Sequence, residues 1–271
     1  MTKQGFFTRL FKRLCLLIGI VIFASTLAAC KEQQEPDPEN IVERTSKKIL
    51  TGTIYETEVY YFKSNLPGPK VVIVGGIHGD EIAGWMVADA LVERKDFKGE
   101  IMIIPRANIL ATQLEQRYPG STNNGMYNNV KYTDLNREFP GKADGTVTER
   151  IAYAIVEVVT EFSPTYLIDL HESKRSYSDP SPLLGDEIIY GNKKGAMLAL
   201  EMVEDFNDTL DPSDTPFITD ANPPEGSFNH YFGKTYDAIT FTFETNRQLG
   251  LAKRIKQQND LLNIFFQKIW N

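Results

Sequence analysis

A short apolar run that ends in a glycine-rich segment constrains the fold of this chain most strongly. The run Val71–Val74 is continuous, as in a strand that is buried on both faces of a sheet. It leads into GGIHGDE at residues 75–81, and residues 81–93 then carry apolar side chains at helical spacing. The pattern predicts a strand, a turn and a helix, with polar side chains at the end of a buried strand, where ligands bind in such folds.

Strands and helices continue to alternate along the chain. Apolar runs predict further strands at 53–62, 101–104, 166–170 and 238–243. A capping box, Thr146-x-x-Glu149, opens a second helix, and residues 251–269 show the periodicity of a C-terminal helix. This order predicts an α/β fold with a mixed, largely parallel central sheet and helices on both faces. The Pro-, Asp-, Ser- and Gly-rich stretches 172–187 and 207–235 predict irregular loops with a functional role.

The N-terminus predicts export. Residues 1–29 combine a basic start with an apolar run and a Leu-Ala-Ala sequence before Cys30, the pattern of a secretory signal. The ending resembles the bacterial lipobox, which implies that Cys30 is the first mature residue and carries a lipid. The expected location is the cell envelope, and Lys31 favours the outer membrane if the cell is Gram-negative. A plain signal peptide or an uncleaved membrane anchor is the alternative.

The predicted chain has three parts: the signal peptide at 1–29, a polar tether at 30–45 and one domain at 46–271. Cys15 leaves with the signal, so no disulfide is expected. The signal holds four of the 29 Lys and Arg residues and none of the 36 Asp and Glu residues, so 25 basic residues face 36 acidic ones, a net charge of −11. This balance argues against a nucleic-acid partner, which would need a basic stripe.

Histidines at two predicted strand ends indicate a metal site. His78 and Glu81 lie three residues apart on the glycine-rich turn, and His171 ends the apolar run 166–170. Two imidazoles and one carboxylate are a three-ligand set of catalytic zinc, with the fourth position left open for water. The alternative is that Glu81 only stabilises a helix N-terminus through the helix dipole.

Two other segments carry polar side chains that suit a substrate site. The segment DLNREFPG at 134–141 contains Arg137, whose planar fork can bind a carboxylate through two hydrogen bonds. Glu244 follows the predicted strand 238–243, and the alternation of side chains places it beside the site. Taken alone, each segment is also consistent with a surface turn or an ordinary charge at a strand end.

Together the segments GGIHGDE, DLNREFPG, LIDLHES and FTFETN resemble the zinc carboxypeptidases and the related succinylglutamate desuccinylase/aspartoacylase deacylases. The resemblance covers roughly residues 70–250, and GTVTERIA at 145–152 looks more like the deacylase branch. It implies the carboxypeptidase fold and one zinc ion per chain, held by His78, Glu81 and His171.

The resemblance also implies roles for other residues. Glu244 corresponds to the general acid/base, and Asn136 and Arg137 to the residues that bind the substrate carboxylate. Asp134 takes the position that hydrogen-bonds a ligand histidine and fixes its tautomer. The family's oxyanion arginine and mobile tyrosine match less clearly: the candidates are Arg117, with Arg106 and Lys131 as alternatives, and Tyr231 or Tyr236.

The predicted activity is zinc-dependent hydrolysis of an amide bond near a free carboxylate. One substrate class is a peptide cut at its C-terminal end, including cell-wall peptides, and the predicted export favours this class. The other is an N-acyl amino acid. A different kind of protein also fits, a non-catalytic surface lipoprotein that binds peptides or glycans, although the presence of all four presumed essential side chains favours an enzyme.

Overall fold

A mixed sheet of eight strands dominates the computed structural model. The structure describes residues 39–173, 185–236 and 238–270, so the predicted signal peptide and Cys30 lie outside the described residues. Among the helices of this described part, none combines the length and the apolar character that crossing a bilayer requires.

The described residues form ten strands, of which eight make the central sheet. The strands are β1 (Val42–Ile49), β2 (Thr57–Ser64), β3 (Lys70–Gly75), β4 (Glu100–Ile104), β5 (Met126–Tyr127), β6 (Val130–Lys131), β7 (Tyr166–Ser173), β8 (Glu187–Tyr190), β9 (Ile218–Asp220) and β10 (Ile239–Asn246). The sheet has the order β1-β2-β4-β3-β7-β10-β8-β9, and β5 and β6 form a separate hairpin. The central strands β4, β3, β7 and β10 are parallel to one another. β2 runs antiparallel to β4, and β8 antiparallel to β10.

Helices cover both faces of the sheet, which confirms the predicted fold class. The described helices are α1 (Ile82–Leu91), α2 (Ile109–Leu114), α3 (Val147–Phe162), α4 (Ala196–Asn207), α5 (Phe228–Thr235) and α6 (Leu251–Trp270), with short 3-10 turns at Leu135–Arg137 and Lys193–Gly195. Val71 and Ile73 of β3 join an apolar cluster with α1, α4 and α6. Val72 and Val74 join a second cluster with α3 and α5. Alternate side chains of one strand thus enter opposite cores, as a continuous apolar run predicts.

The capping box at the start of α3 is present as predicted. The Thr146 hydroxyl accepts a hydrogen bond from the Glu149 amide, and the Glu149 carboxylate accepts one from the Thr146 amide at 2.8 Å. These bonds satisfy two donors that the first helical turn leaves open. The helix then buries Ile151, Ile155 and Val159 against the sheet.

Two regions differ from the sequence predictions. β1 begins at Val42, so residues 42–45 belong to the sheet and not to the predicted tether 30–45. Six of the eight β1 residues are exposed, so the strand shows no alternation of apolar and polar residues in the sequence. It is held by antiparallel pairing with β2. The predicted irregular stretch 207–235 contains β9 and α5. Both elements are too short for a clear hydrophobic period.

Candidate metal and substrate site

The sheet order brings the predicted site residues to one edge. β3, β7 and β10 are adjacent and parallel, so their carboxyl ends lie side by side. His78 follows β3, while His171 and Glu244 lie near the ends of β7 and β10 and are register partners. Paired residues of neighbouring strands point to the same face, which places these side chains together at the edge where ligands bind in α/β folds.

Both imidazoles face one carboxylate. His78 Nδ1 lies 2.8 Å from Glu81 Oε1, and His171 Nδ1 lies 2.7 Å from Glu81 Oε2. All three residues are at most 3% exposed. One potential ligand atom from each of the three lies within 4.8 Å of the others. The structure therefore assembles His78, Glu81 and His171 as a set that could hold one metal ion.

The other ring nitrogens are held by carboxylates. His78 Nε2 donates to Asp134 Oδ1 and His171 Nε2 donates to Asp169 Oδ2, each at 2.8 Å. Such bonds fix the ring orientation and leave Nδ1 to a metal, as is usual for histidine ligands. Sequence reasoning named Asp134 and missed Asp169. The available signal was its position two residues before His171, because residues i and i+2 of a strand share a face.

The electrostatics of this cluster favour positive charge. Burial alone would raise the pKa of Glu81, but His78 and His171 outweigh it and hold that pKa well below its usual value. Burial would lower the pKa of His171, but Asp169 and Glu81 raise it well above its usual value. Two nitrogen donors and one carboxylate are also a donor set that zinc accepts. On both grounds the residues present fit a divalent cation.

Two of the predicted site residues are arginines, Arg117 and Arg137. Arg117 Nε donates to Asp134 Oδ2 at 3.0 Å, and its Nη1 lies 3.4 Å from Glu81 Oε1. Arg137 Nη1 donates to the carbonyl of Asn136 at 2.6 Å. The Asn136 side chain is engaged within the protein, since its Oδ1 accepts from the Phe228 amide at 3.0 Å. Its Nδ2 lies 3.3 Å from His171 Nε2. The structure thus places Asn136 and both arginines beside the histidines.

A cavity of about 320 Å³ opens over these side chains. The predicted site residues that line it are His78, Glu81, Arg117, Asn136, Arg137, His171 and Glu244. Burial raises the pKa of the Glu244 carboxyl group well above its usual value, against the lowering effect of His171. Nearby acids, Glu81 among them, raise that pKa further.

Tyr231 lines a different depression from the other predicted site residues. It lies on α5, where its ring contacts Phe232 and Tyr236 with centroids 5.1 and 5.9 Å away. It lines a neighbouring depression together with Arg137. The structure therefore brings together the predicted metal ligands, arginines and Glu244, and places Tyr231 on an adjacent surface.

Three charged residues of the cavity had no counterpart in the sequence predictions. Glu187, Asp220 and Arg247 line the cavity, and Arg247 Nη1 donates to Asp80 Oδ2 at 2.8 Å. Glu187 and Asp220 come from the short strands β8 and β9, within stretches predicted as irregular. Glu172, the neighbour of His171, accepts hydrogen bonds from the Ala83 amide and from Arg254. These contacts tie its carboxylate to α1 and α6.

Known proteins are similar to this chain in sequence. Residues 67–264 match the family described as the succinylglutamate desuccinylase/aspartoacylase catalytic domain. The N-alpha-acetyl-L-2,4-diaminobutyric acid deacetylase of Halomonas elongata is 34% identical over 112 residues, which are 40% of this chain and 30% of that enzyme.

Solved structures share the fold at low sequence identity. The succinylglutamatedesuccinylase/aspartoacylase from Rhodobacter sphaeroides has a TM-score of 0.59 at 18% identity, covering 85% of this chain and 65% of that one. The mDAP-bound form of Helicobacter pylori Csd4, a D,L-carboxypeptidase, has a TM-score of 0.61 at 16% identity, covering 74% and 51%. The chain thus spans between about half and two thirds of these structures, and less than a third of the Halomonas enzyme.

Proposed function

Because the chain belongs to the succinylglutamate desuccinylase/aspartoacylase family, we propose that it is a zinc-dependent hydrolase of N-acyl amino acids that carry a free carboxylate. The observation that carries the proposal is that His78 Nδ1 and His171 Nδ1 both lie against the Glu81 carboxylate. Glu244 is next to them, as the register partner of His171 on the neighbouring strand. The family match ranks N-acyl amino acids ahead of the peptides that predicted export favours.

His78, Glu81 and His171 would hold the zinc ion. When bound, such an ion lowers the pKa of water toward neutrality and polarises the carbonyl of the bond to be cleaved. The protein contributes the orientation of its ligands, since Asp134 and Asp169 fix the two rings.

Glu244 is the proposed general acid/base. Its carboxylate takes a proton from the attacking water and then delivers it to the leaving amine nitrogen. The raised pKa of this group favours retention of the proton between the two transfers. Its place on β10, register partner of His171, puts it beside the metal ligands.

Arg137 is the proposed receptor for the substrate carboxylate. Within the described residues its guanidinium donates one hydrogen bond, to the Asn136 carbonyl, and a guanidinium carries five N–H donors. The remaining donors can bind a carboxylate and so place the amide bond beside Glu244. Arg117, next to Glu81, is the proposed partner of the oxyanion that forms at the carbonyl.

A hydrolysis screen of the purified, zinc-loaded protein tests the proposal. We expect cleavage of N-acyl amino acids, much slower cleavage of their carboxyl-blocked amides or esters, and loss of activity with a chelator without unfolding. C-terminal and murein-type peptides form the second arm, and faster cleavage of these would make the protein a carboxypeptidase. Absence of hydrolysis from all substrates by a zinc-loaded protein would identify a binding protein instead.

We also propose that Cys30 carries a lipid and tethers the mature protein to the cell envelope, facing away from the cytoplasm. The support is the basic and apolar N-terminus that ends in Leu-Ala-Ala before Cys30. A Cys30→Ala variant should lose the lipid and its membrane association. If that variant still fractionated entirely with membranes, an uncleaved anchor would replace this proposal.

A further inference from the structure

One acidic side chain in the cavity wall has no counter-charge that the described residues supply. Glu187 is 4% exposed, lines the cavity, and its Oε2 is buried without a hydrogen-bond partner among the described residues. Burial and the nearby Asp220 and Asp186 raise the pKa of Glu187 to about 8. A buried carboxylate without partners is costly, so such a group inside a ligand cavity suggests that a ligand completes it.

The register places Glu187 in line with the catalytic residues. Glu244 pairs with His171 on one side and with Glu187 on the other, so the three side chains share one face across β7, β10 and β8. Neighbouring strands lie about 4.8 Å apart. Glu187 is therefore one strand beyond the proposed general acid/base, on the same face of the sheet.

A second line of pocket residues leads to another acid. Thr242 pairs with Ile189, and Ile189 pairs with Asp220 on the far strand β9. All three line the cavity. Ile189 also lies two residues after Glu187 on β8, so its apolar side chain neighbours both acids on the same face. A substrate side chain with an aliphatic stem and a terminal positive charge fits this arrangement. Its stem can pack on Ile189 while its charged end meets an acid, as long basic side chains bury the stem and keep the charge at the end.

The cavity carries charged side chains of both signs. Arg117, Arg137 and Arg247 line it together with Glu187 and Asp220. In the proposed reaction Arg137 receives the substrate carboxylate and the α-nitrogen is acylated, so the charge that meets Glu187 belongs to the amino-acid side chain.

We propose that Glu187, with Asp220 beside it, forms a subsite for a side-chain ammonium or guanidinium group, so that the substrate is an Nα-acyl derivative of a basic amino acid. This rests on the proposed amide hydrolysis for its reaction and, for its specificity, on Glu187 Oε2, which lacks a partner in the described part of the chain. A C-terminal basic residue of a peptide offers the same chemistry from another source.

Three substrates of similar size test the subsite: Nα-acetyl-L-lysine, Nα-acetyl-L-norleucine and Nα-acetyl-L-glutamate. The wild type should favour the lysine derivative over the norleucine derivative by roughly 10- to 100-fold in kcat/KM, the range of a charged hydrogen bond. Glu187→Gln should remove that preference, so that the ratio of the two kcat/KM values falls toward one. The matched control is Glu225→Gln, at an exposed position near the cavity, which should change neither. L-alanyl-L-lysine and L-alanyl-L-norleucine distinguish peptides from N-acyl substrates.

Calorimetric titration with free L-lysine, L-norleucine and L-glutamate separates the two proposals. Lysine-selective binding that Glu187→Gln abolishes, without hydrolysis of any substrate, would refute the hydrolase and support the subsite. Hydrolysis of the norleucine or glutamate derivative at the lysine rate or faster would refute the subsite and leave the hydrolase standing. Failure to bind or cleave any of them would refute both. If Glu187→Gln did not fold, the wild-type preference and its reduction in Asp220→Asn would decide.

Discussion

The two walls of the cavity satisfy their charges in opposite ways. On the histidine wall, which β3 and β7 form, each ring nitrogen of His78 and of His171 lies 2.7–2.8 Å from a carboxylate oxygen. On the acidic wall, which β10, β8 and β9 form, Glu187 Oε2 has no hydrogen-bond partner among the described residues. Burial there raises the pKa of Glu244 and of Glu187.

This difference separates what the protein organises in advance from what its ligands must supply. The histidine wall is held rigid by its own hydrogen bonds, as a metal site requires. On the acidic wall, the cost of a buried negative charge falls when Glu244 takes a proton from water or when a cationic group pairs with Glu187. The comparison predicts that substitutions on the two walls affect different measurements, namely metal affinity on one and turnover or substrate choice on the other.

The largest expected effect is on the acidic wall. Glu244→Gln should lower kcat by ~10²–10⁴-fold, because a general acid/base is lost, while zinc content stays at the wild-type level. Single-turnover kinetics with metal analysis of the same sample measures both quantities. Near-normal turnover would place the general base elsewhere, and loss of zinc would remove the distinction between the walls.

Arg137→Ala should lower kcat/KM by ~10²-fold for substrates with a free carboxylate, through the loss of charged hydrogen bonds. Carboxyl-blocked substrates should lose much less, because they lack the group that Arg137 binds. Arg150→Ala, at an exposed position of α3, is the control. Equal losses for free and blocked substrates would contradict carboxylate recognition by Arg137 and make Arg117 the next candidate.

On the histidine wall, Asp169→Asn should weaken zinc affinity by ~10–100-fold, the usual cost of removing a group that orients a ligand. At saturating zinc, kcat should stay much closer to wild type than in Glu244→Gln. Competition with a chromogenic chelator gives the affinity, and exposed Asp144→Asn serves as the control. An unchanged affinity would show that the bond from His171 Nε2 does not support the site.

The smallest effect concerns stability away from both walls. Thr146→Ala removes half of the capping box of α3 and should lower the free energy of unfolding by about 1 kcal/mol. Zinc affinity and kcat/KM should remain at wild-type values, which provides a baseline for general destabilisation. A loss of zinc in this variant would mean that the site responds to stability alone, and the contrast between the walls would lose its meaning.

Much of the histidine wall could be predicted from the sequence, because its signals are local. His78 and Glu81 lie on one turn, and His171 directly follows the apolar run 166–170. The acidic wall was largely missed, since Glu187 and Asp220 lie on strands of four and three residues. Elements of that length show no period, and only the pairing of β8 with β10 reveals that Glu187 stands beside Glu244. Tyr231 shows the reverse case, a residue type in the expected segment that faces another surface.

Metal analysis of the wild type, His171→Ala and His230→Ala tests the central claim most directly. His230 is the third histidine of the chain and lies on α5, where it lines the neighbouring depression. The account predicts about one equivalent of zinc in the wild type and in His230→Ala, and loss of tightly bound zinc from His171→Ala. Equal zinc content in the wild type and in His171→Ala would contradict the assignment of His78, Glu81 and His171 as the metal site.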